Sequence, residues 1–377
     1  MNWGGAELQL LKTLKLSEQH GYDPHLIVSG TQLNLLDQVN LHPKKILCLK
    51  NKNLNFLTSK SLYPSLLSAW RITSFLRQQG VKVLVANLPL SHWIAHWVSI
   101  LSWVTVSPVK IVLYHHSQQF SANPPASLAI KLFHTFNLLL GFLCDHTHLF
   151  ISHASFMDFK KNQPVRKYHI IHNYIYKSDV STQPAKTFIA SKNHQEFDKL
   201  LVIPGRLHPV KGQTFFLHAT AQYLTKERMK EEKILLVFAG GGVEEAAILK
   251  TTENFGIQDF TIITGFIDNE LLLSFLKLAH LVIIPSLFEG LGNVAIEALM
   301  LRCNVLCSNA GGLKEVIGPG RSAPLFEAGD PHDLLVKLKA ILDGQINIDT
   351  ERGYQWYQKN FTPEIFMKKW TTLLEKL

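Results

Sequence analysis

Short, continuous apolar runs alternate with amphipathic stretches along most of the chain. The runs fall at His25–Ser29, Lys45–Leu49, Val81–Ala86, Lys110–Tyr114, Leu149–Ser152 and His169–Ile171. A second series follows at Leu200–Ile203, Ile234–Ala239, Thr261–Phe266, Leu281–Pro285 and Asn304–Ser308. These runs are β-rich and short, as expected for strands covered on both faces. Leu8, Leu11 and Leu14 follow a helical period, and Leu62–Gln79 and Val294–Leu299 read as helices as well. Strand and helix in turn predict βαβ units around parallel sheets. The polar, Pro-, Ser- and Thr-bearing stretch 177–196 separates the two series and reads as an interdomain linker. The divisions so drawn are a first domain over residues 1–180, a second over 198–355 and a closing amphipathic helix over 356–377.

Composition changes this picture in two places. The chain has 377 residues, 46% of them hydrophobic and 18% charged, enough for two sizeable cores. Its net charge of +9 is unevenly held: residues 1–177 carry 17 Lys and Arg against 6 Asp and Glu, a net +11, and the remainder is near neutral. A basic half implies an anionic partner: nucleic acid, anionic lipid or a charged substrate. No nucleic-acid motif accompanies the charge. Trp93, Trp97 and Trp103 stand among Leu, Ile and Val in the same half, and 128–144 is nearly uncharged. Neither stretch makes a transmembrane span, because histidines, Pro108 and Lys131 interrupt them. They read as buried helices, or as a face resting on an anionic membrane surface. Four cysteines make no disulfide framework, and the Cys303-x-x-x-Cys307 spacing crosses a strand-like run rather than a metal knuckle. With no secretory signal in the sequence, a cytoplasmic protein is expected, peripheral to the inner membrane if the basic face meets lipid.

The chemistry is densest after Leu281–Pro285. A loop with two glycines leads into Val294–Leu299, with Asn293 as a plausible N-cap. Unpaired amides and the macrodipole at such a helix start favour an anion. Glu289 lies in the loop, and Glu297 falls about one turn into the helix. Facing a phosphate they would be repelled, so they point to hydroxyl groups on either side of one. Phosphates flanked by polyols describe a nucleotide sugar.

This Glu-x7-Glu element, from Glu289 to Glu297, resembles the signature of family-4 retaining glycosyltransferases. The resemblance implies an α/β, GT-B fold: two Rossmann-like doubly wound domains facing across a cleft. It implies that Glu297 holds the nucleotide ribose, that Glu289 reaches hydroxyls of the transferred sugar, and that amides over Gly290, Leu291, Gly292, Asn293 and Val294 touch sugar and phosphate. Gly205-Arg206 with Lys211-Gly212 resembles the family's diphosphate loop, in which a planar guanidinium and a point charge share two phosphates. No DxD motif is present to hold a divalent ion, so no metal and no cofactor are expected. Gly240 and Gly241 lack the GxGxxG spacing of a dinucleotide fold and fit a tight turn lining the nucleotide site. Phe266 and Ile267 lie where the family holds the base, Gly311-Gly312 with Glu315 where it turns beside the donor pocket, and His172-Asn173 near its domain boundary.

In the first half, His116 resembles a family histidine facing the donor sugar, with His115 as the alternative. Gly4 and Gly5 resemble the family's acceptor and diphosphate loop. That loop normally follows a first β-strand, and no such strand precedes Gly4 here, so a late start, a fragment or a compromised sheet is expected. The implied activity is a retaining, metal-independent transfer of a hexosyl unit from a nucleotide-diphosphate sugar. Family habit and charge together suggest a lipid-linked saccharide acceptor, as in lipopolysaccharide, O-antigen or capsule assembly. A nucleotide-sugar epimerase or a catalytically inactive sugar-binding subunit are the alternatives. Arg302-Cys303 and Ser322-Ala323-Pro324 depart from the family pattern.

Overall fold

The computed structural model describes residues 5–29, 42–49, 62–87, 89–105, 108–117, 135, 139–141, 144, 146–194, 196–318 and 322–377. The chain divides into two units: residues 1–171 with 366–377, and residues 172–365.

The second unit is built on a six-stranded parallel sheet. Its strands are β7 (Lys199–Pro204), β8 (Ile234–Ala239), β9 (Thr261–Ile263), β10 (Leu281–Ile284), β11 (Val305–Ser308) and β12 (Leu325–Phe326), in the order β12-β11-β10-β7-β8-β9. Every residue of β8, β10 and β11 is buried, which is why these strands read as unbroken apolar runs. Leu201, Ile203, Leu236, Phe238, Leu281 and Ile283 interlock with Phe216 and Leu217 of the helix Gln213–Thr220 and with Leu334 and Leu338 of Pro331–Leu342. From β7 the chain moves outward to β8 and β9, then returns to place β10 on the other side of β7. The order therefore reverses between β7 and β10, and ligand sites of open α/β sheets lie beyond the strand ends at such a reversal.

Two expectations are corrected here. The stretch 177–196 is not a bare linker: Gln183–Ser191 is a helix with proline in its first turn. Its Ala185 and Ile189 are buried, and the Ala185 amide donates to Ser274 Oγ at 3.0 Å. Two apolar positions four apart bury one helix face, although the composition around them is polar. The second unit accordingly begins at His172 rather than near residue 198. Residues 173–176 belong to it through Ile175, whose N–H donates to the Phe361 carbonyl (2.9 Å) and whose carbonyl accepts from Tyr357 Oη (2.9 Å).

In the first unit, β1 (Leu26–Ser29) and β2 (Ile46–Leu49) form one parallel pair. The strands β3 (Val83–Ala86), β4 (Lys110–His115), β5 (Thr147–Phe150) and β6 (Lys167–Ile170) form a separate parallel sheet in that order. Helices Leu62–Gln78 and Pro89–Val104 pack together through Ala69, Ile72, Trp93, Ile94 and Val98, with Trp93 Nε1 donating to Ser65 Oγ. Among the described residues no helix is long and apolar enough to cross a membrane. Part of 128–144 lies outside the described residues.

Candidate functional site

The loops beyond the carboxyl ends of β7, β8, β9 and β10 fold onto one another. After β7 comes Gly205, then Arg206, a single 3-10 turn over Pro209–Lys211, and Gly212, from which the next helix starts. Gly212 has φ +71°, and a Cβ there would stand 2.1 Å from the Pro285 carbonyl oxygen. Only glycine allows that approach. It lets the Leu287 and Phe288 amides both donate to the Val210 carbonyl, at 2.8 and 3.2 Å. The loops after β7 and β10 are thus stitched together at the point where the strand order reverses.

This stitching brings Lys211 to Glu289. Lys211 Nζ lies 2.6 Å from Glu289 Oε2, and the two side chains are only 26% and 14% exposed. Ser286 Oγ donates to the same carboxylate oxygen at 3.2 Å. The Glu289 carbonyl accepts from the Gly312 amide, which carries the turn after β11 to the site. Arg206 is exposed and makes no ion pair with a described residue, while its carbonyl accepts from Gln213 Nε2. One cation is therefore held by a carboxylate and the other is open to solvent.

The β8 loop closes the opposite side. A Cβ on Gly240 would meet the Gly205 carbonyl oxygen at 2.2 Å, and one on Gly241 would meet the Phe266 ring at 2.9 Å. The Gly240 amide donates to Thr264 Oγ1, and the Leu207 amide to the Gly241 carbonyl. Phe266 stays 62% exposed, a flat apolar face beside the glycines, and Ile267 is half-buried next to it.

The helix Asn293–Met300 departs from expectation at its start. Its N-cap is Gly292, in the left-handed region at φ +98°, and Asn293 is already helical. Asn293 Oδ1 instead accepts from Asn173 Nδ2 at 2.9 Å, so the asparagine ties two chain segments together rather than capping. Leu291 is 1% exposed, backbone included, and is part of the core. Val294 and Gly290 are half-buried. Glu297 is 7% exposed, one turn into the helix. Nearby His172 Nε2 and Glu315 Oε2 stand 3.1 Å apart.

Gly205, Arg206, Lys211, Gly240, Gly241, Phe266, Ile267 and the run from Glu289 to Glu297 therefore belong to one cluster of loops in one unit. His116, Gly4 and Gly5 belong to the other unit. Gly4 lies outside the described residues, and Gly5 opens the helix Gly5–Gln19. His116 follows β4 directly. Its Nε2 is 3.0 Å from Asn87 Oδ1, and the Asn87 amide nitrogen is committed to the Val85 carbonyl. That orientation makes Nε2 the protonated nitrogen and leaves Nδ1 as an unpartnered acceptor. Burial pushes the His116 pKa down to about 3, so the ring is neutral. His115 is a packed residue: it is 5% exposed, stacked on Phe150 and bonded to His148 Nδ1.

Among the described residues the one group with metal-ligand spacing is His96, Cys144 and His146, in the first unit. There the His96 Nδ1 and His146 Nε2 atoms hydrogen-bond at 2.9 Å. Cys303 is buried with its thiol donating to the Leu276 carbonyl, and burial pushes that thiol up to about 12. Sequence spacing did not reveal the Lys211–Glu289 pair, which joins residues 78 apart, or the Asn173–Asn293 tie, which joins residues 120 apart.

Residues 185–359 match the family model described as glycosyl transferases group 1. The D-inositol 3-phosphate glycosyltransferase 2 of Catenulispora acidiphila is 30% identical over 149 residues, which are 38% of this chain and 35% of that protein. The chain thus spans about a third of that relative's length. Among solved structures, Anabaena Alr3699/HepE in complex with UDP-glucose superposes with a TM-score of 0.76 at 16% identity, over 100% of this chain and 97% of the other. The apo form of the lipopolysaccharide outer core galactosyltransferase WaaB gives 0.73 at 13% identity, over 100% and 97%. These likenesses show the fold, two Rossmann-like units of the GT-B type. The likeness to the glycosyl transferases group 1 family thus rests on residues 185–359, a little under half of the chain.

Proposed function

We propose that the protein is a retaining glycosyltransferase of family 4 that moves a hexosyl unit from a nucleotide-diphosphate sugar to an acceptor hydroxyl without a metal. The observation that carries this reading is the joined pair of loops that sets Lys211 against Glu289 beside the open guanidinium of Arg206. An arriving diphosphate takes Lys211 as a point charge and Arg206 as a fork of donors. Glu289, already bonded to Lys211 and Ser286, accepts from sugar hydroxyls next to that phosphate. Glu297 takes the ribose, and the exposed Phe266 ring offers the base a stacking face. The two cations and the amides near Gly292 and Asn293 stabilise the charge that grows on the leaving diphosphate. The acceptor oxygen attacks on the face the diphosphate leaves, and the departing phosphate oxygen takes its proton. His116 is held neutral by burial, and its Nδ1 is a buried acceptor with no partner among the described residues.

Three observations support a lipid-linked acceptor at an anionic membrane surface, as in lipopolysaccharide, O-antigen or capsule assembly. Leu66, Leu67 and Trp70 are exposed on the helix Leu62–Gln78, and Ile100, Trp103 and Val104 on Pro89–Val104, the last three at helical spacing. Arg71, Arg77, Lys82 and Lys110 are exposed in the same unit. The neighbour WaaB acts, by its name, on the lipopolysaccharide outer core.

The test is a panel of UDP-, GDP- and ADP-hexoses incubated with the protein and a bacterial membrane-lipid extract, with and without EDTA. One donor is expected to release its nucleotide only when extract is present, and EDTA is expected to change nothing. No release with any donor contradicts the reading. Release that EDTA abolishes contradicts its metal-free part.

A further inference from the structure

The first unit gathers three residues with metal-ligand chemistry that the proposed transfer does not use. His96 lies in the helix Pro89–Val104, whereas Cys144 and His146 lie just ahead of β5. One ligand atom from each, two ring nitrogens and a sulfur, fall within 4.8 Å of one another. His96 and His146 are 1% and 5% exposed, and Cys144 is half-buried. The two rings are within 16° of parallel and share a hydrogen bond, His96 Nδ1 standing 2.9 Å from His146 Nε2. Ser99, one turn on from His96, is buried and hydrogen-bonds the Cys144 sulfur. His96 is 48 residues from Cys144 and 50 from His146, so no metal-binding spacing shows in the sequence.

We propose that His96, Cys144 and His146 hold one zinc ion, which clips the helix Pro89–Val104 to the start of β5. Imidazole suits zinc, copper, iron and nickel, and thiolate narrows that choice to zinc and copper(I). Zinc takes nitrogen and sulfur together in a tetrahedral set and has no redox chemistry to quench in a buried site. Zinc–nitrogen bonds of about 2.0–2.1 Å and a zinc–sulfur bond of about 2.3 Å set the ligand atoms about 3.3–3.6 Å apart. The contact between the two rings therefore opens by about half an ångström, and the sulfur closes by about 1 Å, a side-chain rotation. Cys144 gives up its thiol proton, so one proton leaves for each ion taken. Both imidazoles stay neutral, the proton they share shifting to the other nitrogen of its ring. Ser99 then donates to the thiolate and fixes its direction. The fourth tetrahedral position is left to water. This inference does not rest on the proposed activity. The ion takes no part in the transfer, and a missing DxD motif bears only on an ion at the diphosphate. Held by buried ligands, it stays bound through brief exposure to EDTA.

The test produces the full chain in zinc-supplemented and in cobalt-supplemented medium and dialyses both against metal-free buffer. The wild type is compared with Cys144→Ser, His146→Asn and, as a control, Cys48→Ser, whose half-buried thiol lies outside the group. Elemental analysis is expected to find one zinc per wild-type chain. The cobalt form is expected to show a thiolate-to-cobalt charge-transfer band and the strong visible bands of tetrahedral cobalt. Cys144→Ser and His146→Asn are expected to retain at least tenfold less of either metal, and Cys48→Ser to match the wild type. Stripping zinc from the wild type by prolonged chelation is expected to lower the thermal midpoint by about 5 °C, with no such change in Cys144→Ser. The wild-type spectrum decides even where a variant fails to fold. A wild type that holds neither metal, a cobalt form without the charge-transfer band, or Cys144→Ser holding as much metal as the wild type would overturn the inference.

Discussion

Gly212 and the Lys211–Glu289 pair set the geometry of the site, and each lends itself to a measurement. Gly212 combines a left-handed backbone with an approach to the Pro285 carbonyl that leaves no room for a methyl group. Gly212→Ala is expected to destabilise the second unit by about 3 kcal/mol, read as a lower denaturation midpoint. At Gly205, where φ is +124° but nothing lies within 4 Å, alanine meets only the backbone term, about 1 kcal/mol. Lys211 and Glu289 form a half-buried pair, so removing one charge leaves the other poorly solvated. Lys211→Met is expected to cost about 1–3 kcal/mol. In a double-mutant cycle with Glu289→Gln, the double variant is expected to cost less than the sum of the singles. Simple additivity would show that the pair contributes nothing. Both residues were legible in the sequence as candidate ligands for phosphate and sugar. Their contact was not, because sequence spacing carries no information about which loops a sheet reversal brings together.

At the scale of elements, the strands were the most legible part. β8, β10 and β11 are buried along their whole length and read as unbroken apolar runs. Short helices in polar surroundings were not legible: Gln183–Ser191 buries only Ala185 and Ile189 and so passed for linker. Asn293 passed for an N-cap because its residue type suits one, whereas the left-handed Gly292 ends the loop and frees the asparagine to bond Asn173. The segment 172–176 was placed in the first domain by its position after β6, although its hydrogen bonds run to Glu315, Asn293, Phe361 and Tyr357 of the second unit. Tyr357 is 1% exposed and its hydroxyl donates to the Ile175 carbonyl. Tyr357→Phe leaves that carbonyl without this donor and is expected to lower the stability of the second unit by about 1–2 kcal/mol in urea unfolding. An unchanged midpoint would show that the tie is not holding the segment.

Across the whole molecule, charge and protonation divide between the units. The first unit buries a cluster of histidines whose rings face one another. Burial pushes His92 down to about 4 and His116, His146 and His148 to about 3, and it moves His115 in the same direction. Unfolded histidine titrates near 6.5. Between that value and the folded pKa the unfolded chain binds more protons, so stability is complete above about pH 6.5 and falls as pH drops. Each histidine costs roughly 1.4 kcal/mol per pH unit there. Thermal melts are expected to show the first unit losing stability steeply between pH 6.5 and 5, and a flat profile would contradict the neutral, buried cluster. The basic first half was legible from residue counts; that its histidines are core residues was not, because histidine suits core and surface alike. The account rests on the loops of the second unit holding the diphosphate of a nucleotide sugar. Calorimetric titration of UDP-, GDP- and ADP-glucose into the wild-type chain, Arg206→Ala and Glu297→Ala tests this most directly. One of the three donors is predicted to bind the wild type and to lose at least tenfold in affinity in each variant, with melting curves still cooperative. Equal affinity in all three proteins, or no binding of any donor to the wild type, would contradict it.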